Sequence, residues 1–350
     1  MTVDQTYMQR CIELAKLGLG SVAPNPMVGA IVVHDQKIIG EGYHRQYGQA
    51  HAEVNAINAV ENKELLSQST LYVNLEPCSH FGKTPPCADL IIAHKIPNVV
   101  IGSLDFNSLV NGKGIEKLTK AGVEVTVGVL EEECKELNKR FFTFHQKKRP
   151  YVILKWAQTA DGFIDIKREV ETPEKPLQIS NAESRKRLHQ WRSEEQAIMV
   201  GTNTALLDNP QLTVREFNGK NPLRITIDKW LRIPEHFHLF DKSTPTLIFT
   251  AVDKPSLQNL EFVKIDFELS IVTQILNELY KRNIQSLIVE GGELLLTSFI
   301  DNESWDEARV FMSNKKIGKG VNAPVLELQY SDKENCGDDK LFIYYREMDN

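Results

Sequence analysis

A chain of 350 residues is longer than one hydrophobic core usually serves, so two domains are expected, each large enough to bury a core of its own. A formal charge of -6 argues against a general nucleic-acid or anionic-membrane surface, while leaving room for a local basic pocket that takes a small phosphorylated ligand. No apolar run reaches the roughly 18 residues of a membrane span, and the opening residues, with Asp4, Arg10, Glu13 and Lys16, lack a signal-peptide core, so a cytoplasmic protein is expected.

Tyr7 to Leu17 places Met8, Cys11, Ile12 and Ala15 on one helical face, with Gly18 or Gly20 as the stop. Val28 to Val33 and Lys37 to Gly42 read as paired strands turned through His34, Asp35 and Gln36, followed by a helix over Ala52 to Val60. Then come strand Leu71 to Leu75, helix Ala88 to His94, strand Val99 to Gly102, helix Ile115 to Lys120, strand Val123 to Val127 and helix Glu131 to Phe144. This alternation predicts an α/β/α sandwich. Lys147 to Pro150 is charged and proline-terminated, as linkers commonly are.

Beyond it the alternation restarts, with strand Tyr151 to Lys155, helix Ala182 to Ser193, strands Ala197 to Gly201, Leu223 to Ile227 and Thr246 to Phe249, helix Val272 to Lys281 and strand Leu287 to Glu290. A second α/β domain is expected there. Asp301 to Glu307 and Ser331 to Lys340 are polar enough to read as mobile surface loops.

Five cysteines are too few and too uneven for a disulfide scaffold. Cys11, Cys134 and Cys336 read as core or incidental residues. Cys78 and Cys87 read otherwise, because His51-Ala52-Glu53 opens one helix, Pro77-Cys78 follows a strand and Cys87 opens another helix. One imidazole and two thiolates suit zinc and leave its fourth position for water, as in a catalytic rather than a structural site. Glu53 is then placed to move protons without binding the metal, and one zinc per chain is expected.

Ala23-Pro24-Asn25-Pro26-Met27-Val28-Gly29-Ala30, Gly42-Tyr43-His44, His51-Ala52-Glu53 and Glu76-Pro77-Cys78 to Thr84-Pro85-Pro86-Cys87 resemble the bifunctional deaminase-reductases of riboflavin biosynthesis. The spacing between the two cysteines is their most discriminating feature. The resemblance implies a cytidine-deaminase-like domain over residues 1–146, a linker at 147–150 and a dihydrofolate-reductase-like NADPH domain over 151–350. It also implies a phosphorylated pyrimidine substrate that loses its 2-amino group to water, and it makes Asn25, His44, His80 and Lys83 pocket residues. Asn25 can read a pyrimidine edge through its amide or simply form a turn, and Lys83 can meet the phosphate. The family pattern Asp-Pro-Asn-Pro is here Asp105-Phe106-Asn107-Ser108, so Asp105 and Asn107 keep the polar positions while the prolines are missing.

The resemblance continues through Lys155-Trp156-Ala157-Gln158-Thr159-Ala160-Asp161-Gly162, Ile179-Ser180, Arg192, Gly201 to Thr204, Asp208-Asn209-Pro210, Leu212 to Arg215 and Val289-Glu290-Gly291-Gly292. It implies NADPH contacts at Ala157, Thr204, Asp208, Gly291 and Gly292, and hydride transfer to C1 of the ring-opened ribose. On the substrate side it implies Lys155, Ser180, Arg192, Arg215 and Glu290, since a sugar phosphate needs fixed cations and a uracil ring a polar partner. Each arginine can alternatively form an ion pair, and Lys155 a buried salt bridge. Gln178 stands where the family often has an aromatic residue, which removes a stacking contact. The competing reading is a nucleoside or tRNA deaminase fused to a non-catalytic ligand-binding domain. Acidic charge and the lack of basic-aromatic clusters count against RNA, and self-association is left open.

Overall fold

The computed structural model describes residues 1–81, 85–106, 112–169 and 175–346. The chain divides into two compact units, Met1–Lys148 and Arg149–Asn350. The first opens with α1 (Val3–Lys16), which begins four residues before its apolar stripe because Thr2 and Gln5 form a capping box. There follow β1 (Gly29–His34), β2 (Lys37–Tyr43), α2 (Ala52–Ala59), β3 (Thr70–Leu75), α3 (Cys87–Ala93), β4 (Asn98–Ser103), α4 (Lys113–Lys120) and β5 (Glu124–Val127). The expected helix over Glu131 to Phe144 is instead two helices, α5 (Glu131–Leu137) and α6 (Lys139–Lys147). The break is at Asn138, whose side chain accepts the Met27 N–H and donates to the Met27 carbonyl.

The sheet order is β2-β1-β3-β4-β5, with β1 antiparallel to both neighbours and β3, β4 and β5 parallel. The central strands bury both faces: Ala30, Val32, Leu71, Val73, Val99 and Ile101 pack with α2 and α3, while Ile31, Val33, Tyr72 and Val100 pack with α1 and Cys134. Each fully buried aliphatic side chain contributes about 1.5–3 kcal/mol. The carboxyl ends of the parallel strands β3 and β4 are where ligands are received in open α/β sheets.

The second unit contains β6 (Tyr151–Gln158), β7 (Phe163–Asp165), α7 (Ala182–Glu194), β8 (Ala197–Val200), α8 (Thr202–Asp208), β9 (Leu223–Ile227), β10 (Thr246–Thr250) and β11 (Leu260–Lys264). It continues through α9 (Ile271–Lys281), β12 (Ser286–Glu290), α10 (Glu293–Asp301), β13 (Glu307–Met312), β14 (Val321–Asn322), β15 (Asp332–Cys336) and β16 (Asp339–Tyr345). Nine strands form one sheet in the order β11-β10-β9-β8-β12-β6-β13-β16-β15. It is parallel from β11 to β13, and β16 and β15 close it antiparallel.

Two loop expectations are corrected here. Ser331 to Lys340 is chiefly an edge hairpin, its polar residues standing on an exposed edge strand. Asp301 to Glu307 ends in buried Asp306 and Glu307, where Asp306 takes two guanidinium bonds from Arg149 and the Val152 N–H. The tail after Asn322 thus completes the sheet. Among the described residues no helix is long and apolar enough to cross a membrane.

Candidate active sites

In the first unit, His51 is the N-cap of α2, with extended backbone and no capping bond from its side chain. Its imidazole turns to the sulfurs instead, Nδ1 lying 3.3 Å from Cys87 Sγ and 3.6 Å from Cys78 Sγ. Cys87 is the first residue of α3, behind Pro86, whose fixed φ suits a helix start. The Cys87 N–H donates to Cys78 Sγ at 3.3 Å, and the Ala88 N–H to the Cys78 carbonyl at 3.1 Å. One end of a helix therefore holds both thiol segments.

The three ligand atoms lie within 4.8 Å of one another. A tetrahedron with bonds of about 2.1 Å to nitrogen and 2.3 Å to sulfur has N···S edges of about 3.6 Å, close to the two N···S distances here, so the donor set suits zinc. The Cys87 hydrogen bond, helped by His51, pulls the Cys78 thiol down to about 4, whereas the Cys78 sulfur and burial push Cys87 well up. Metal binding needs both thiols deprotonated, so a divalent cation would displace their protons. Cys78→Ser and Cys87→Ser are each expected to lose stoichiometric zinc on metal analysis, because two ligands are too few for high affinity.

Glu53 follows two residues after His51 and is only 3% exposed. Burial first, and then the Cys78 charge, push its carboxyl above the usual range, which suits a group that accepts and returns a proton. Asn25 lies near the same cluster through histidine contacts. Its amide nitrogen is 3.1 Å from His44 Nε2, His44 Nδ1 is 3.0 Å from the Ala50 carbonyl, and the His44 and His51 rings meet edge to face at 5.5 Å. Donation from Nδ1 to Ala50 leaves Nε2 as an acceptor, and burial pushes His44 below the usual histidine range. With both ring nitrogens engaged, His44 orients Asn25 and leaves the amide oxygen as a hydrogen-bond acceptor.

Among the remaining expected pocket residues, His80 is exposed and Asp105 is buried, while Lys83 and Asn107 lie outside the described residues. Sequence reasoning missed Asn74 and Asn138, which grip the segment after Asn25. Gly29 N–H donates to Asn74 Oδ1 at 2.8 Å, and both amides donate to the Met27 carbonyl, at 3.1 and 2.9 Å. A buried asparagine inside the apolar run of β3 was the available signal.

In the second unit, Lys155 and Glu290 are register neighbours on β6 and β12. Arg192 and Glu290, expected to face substrate separately, are paired with each other: Arg192 Nε and Nη2 donate to the two carboxylate oxygens at 2.9 and 2.7 Å. Burial opposes the Glu290 charge, yet Arg192 and Lys155 hold its carboxyl below the usual range. Burial and the Arg192 charge in turn lower Lys155. Arg215 is exposed, bonding to Gln211 and Thr213 through its guanidinium, and its N–H donates to His189 at 3.2 Å. Ser180 is half-buried, and its carbonyl accepts from Arg185 at 3.5 Å.

Gly291 and Gly292 have φ of 84° and 76°, where side chains are strained, and a Cβ on Gly292 would stand 3.1 Å from Thr204 Oγ1. The expected cofactor residues Thr204, Gly291 and Gly292 therefore meet between strand end and helix start. Ala157 faces Phe311 in the β6–β13 ladder. Asp208 is ion-paired with Arg168, which also bonds Asp165, a link no motif announced. Gln178 is exposed, and its carbonyl accepts from Lys315.

The family model for the cytidine and deoxycytidylate deaminase zinc-binding region matches residues 1–103, and that for the RibD C-terminal domain matches residues 150–339. The riboflavin biosynthesis protein RibD of Aquifex aeolicus is 40% identical, covering 98% of this chain and 99% of its own length. Its counterpart in Synechocystis is also 40% identical, over 93% of this chain and 88% of its own length. A crystal structure of a diaminohydroxyphosphoribosylaminopyrimidine deaminase/5-amino-6-(5-phosphoribosylamino)uracil reductase from Thermotoga maritima superposes with a TM-score of 0.88 at 39% identity, covering 97% of this chain and 98% of that one. The chain belongs to the RibD family, the deaminase-reductases of riboflavin biosynthesis, with a zinc-binding deaminase domain followed by a reductase domain of the NADPH-using type.

Proposed function

We propose that residues 1–146 deaminate 2,5-diamino-6-(5-phosphoribosylamino)pyrimidin-4(3H)-one and that residues 151–350 reduce the ribosyl group of 5-amino-6-(5-phosphoribosylamino)uracil, with residues 147–150 as linker. The observation that carries the first half is the three-donor cluster with buried Glu53 two residues from one donor. When bound, zinc supplies the Lewis acidity that brings the pKa of a water towards neutrality. Glu53 takes the proton of the attacking water and passes it to the departing 2-amino group, which leaves as ammonia. Asn25, fixed through His44, reads the pyrimidine edge. His80, Lys83, Asp105 and Asn107 serve the sugar phosphate side.

In the second half, Gly291, Gly292, Thr204, Ala157 and Asp208 hold NADPH, whose bound nicotinamide supplies the hydride. Glu290 receives the uracil ring while Arg192 keeps the carboxylate charged and oriented. Lys155 stands as a buried cation beside it, and Arg215 and Ser180 take the phosphate side. Both substrates are small phosphorylated pyrimidines, so no nucleic acid or membrane partner is required, and a cytoplasmic enzyme, with self-association open, fits the reading.

Purified protein given the diaminopyrimidine phosphate without NADPH is expected to yield the deaminated uracil by mass spectrometry, and with NADPH the ribityl product. Recovery of unchanged substrate alongside activity on cytidine would overturn this reading.

A further inference from the structure

We infer that Glu76 and Phe106 are positioning residues of the deaminase, anchoring Asp105 to the segment that carries Cys78. The inference rests on the reading that Asp105 meets the sugar phosphate side of the substrate. Neither anchor was given a role by sequence reasoning, although Glu76 opens the Glu76-Pro77-Cys78 motif.

The geometry begins in the sheet. Leu75 and Ser103 are register partners on the parallel strands β3 and β4, so the chains that follow leave the same sheet edge side by side. The Glu76 N–H donates to the Ser103 carbonyl at 3.0 Å and holds them together. Among the described residues, the nearly fully buried Glu76 carboxylate then receives four backbone N–H groups. Oε2 accepts from Gly112 at 2.9 Å and from Asp105 at 3.4 Å, while Oε1 accepts from Gly114 at 2.8 Å and from Ile115 at 3.4 Å. One side chain thus grips the connection where it departs, at Asp105, and where it returns, at the start of α4. A carboxylate is favoured there both by the amides and by the positive end of the helix.

Close approach seals the arrangement. A Cβ on Gly114 would stand 2.1 Å from the Pro77 carbonyl, so the start of α4 lies directly on the residue before Cys78. Glu76, which accepts the Asp105 N–H, stands two residues before Cys78 and so couples Asp105 to the segment that carries that cysteine.

Phe106 supplies the second hold. Its ring meets Phe142 edge to face, with centroids 5.3 Å apart and planes at 83°, although 38% of the residue is exposed. Phe142 belongs to α6 and packs with Leu75 and Val28, so this contact ties the residue after Asp105 to the base of the site. A proline at position 106 would stiffen the backbone from within, whereas Phe106 holds it from outside.

Four single variants test this: Asp105→Ala, Glu76→Gln, Phe106→Ala and Phe106→Pro. Asp105→Ala and Glu76→Gln are each expected to raise KM for deamination roughly tenfold, with kcat within about threefold of wild type. Zinc stoichiometry and NADPH oxidation with supplied uracil intermediate should be unchanged. The Asp105→Ala, Glu76→Gln double variant should be little worse than the worse single, because both remove the same contact. Phe106→Ala should raise KM about threefold, the worth of an edge-to-face pair, and Phe106→Pro should bring it back. An unchanged KM in Asp105→Ala overturns the substrate contact and this inference together. A raised KM there with a wild-type KM in Glu76→Gln overturns the inference alone, as does loss of zinc or a fall in kcat at unchanged KM. Should Glu76→Gln fail to fold, the partly exposed Phe106 decides: wild-type KM in Phe106→Ala, or failure of Phe106→Pro to restore it, overturns the proposal.

Discussion

Glu53→Gln is expected to keep its zinc and to lose deamination by at least about 10²-fold, the usual worth of a positioned acid-base group. Glutamine keeps the shape and much of the hydrogen bonding of the side chain but can neither accept nor deliver the proton. Because Glu53 is almost fully buried on the first turn of α2, an isosteric change leaves the packing around Ala52 and Ala56 in place. Burial already favours the uncharged form at this position, so a neutral amide adds no new desolvation cost. The loss should therefore appear in turnover while metal analysis still finds zinc. The same protein, given the deaminated uracil, should oxidise NADPH at the wild-type rate, since the reductase residues belong to the other unit. Near-normal deamination would remove Glu53 from the mechanism, and loss of reduction would show that the two activities are not separable.

How much of this was legible in the sequence depended on whether a residue's meaning is local. The zinc set was readable because zinc demands particular side chains whatever surrounds them, and because His51 and Cys87 open helices whose starts the apolar spacing already marks. The alternation of strands and helices was equally local, so the sandwich and the second α/β unit could be expected. The partners of Glu76, Asn74 and Asn138 were not readable, even where Asn74 stood out within an apolar run, since they are backbone groups 29 to 111 residues away that only the folded chain brings to them. β13 escaped because buried Glu307 and Arg309 interrupt its apolar pattern; Glu307 is satisfied by Arg309 and by the Tyr151 hydroxyl. β15 escaped for the opposite reason, being an edge strand whose solvent exposure permits a polar composition. At Arg192 and Glu290 the residue types were visible but their pairing across 98 positions was not.

That pairing changes what removal of Arg192 should do. A cation reserved for a phosphate could be truncated at the cost of binding alone, whereas Arg192→Ala leaves the Glu290 carboxylate buried without its bidentate partner. Both side chains are only about a tenth exposed, 9% and 10%, so solvent cannot take over. Breaking a buried pair from one side costs about 3–5 kcal/mol, which in a unit of this size lowers Tm on the order of 10 °C. Arg192→Ala is therefore expected to melt early and, below its melting point, to accumulate the deaminated uracil from the diaminopyrimidine substrate even with NADPH present. Deamination itself should be retained. The double variant Arg192→Leu, Glu290→Leu separates the two roles, because replacing both charges by apolar groups removes the stranded carboxylate and is often neutral for stability. Its melting temperature should recover while reduction stays lost, since the uracil would meet no carboxylate. Calorimetric melting and product mass, measured on the same preparations, give the answer. Normal reduction by either variant would take the pair out of the active site, and a wild-type melting temperature for Arg192→Ala would mean that Glu290 does not depend on it.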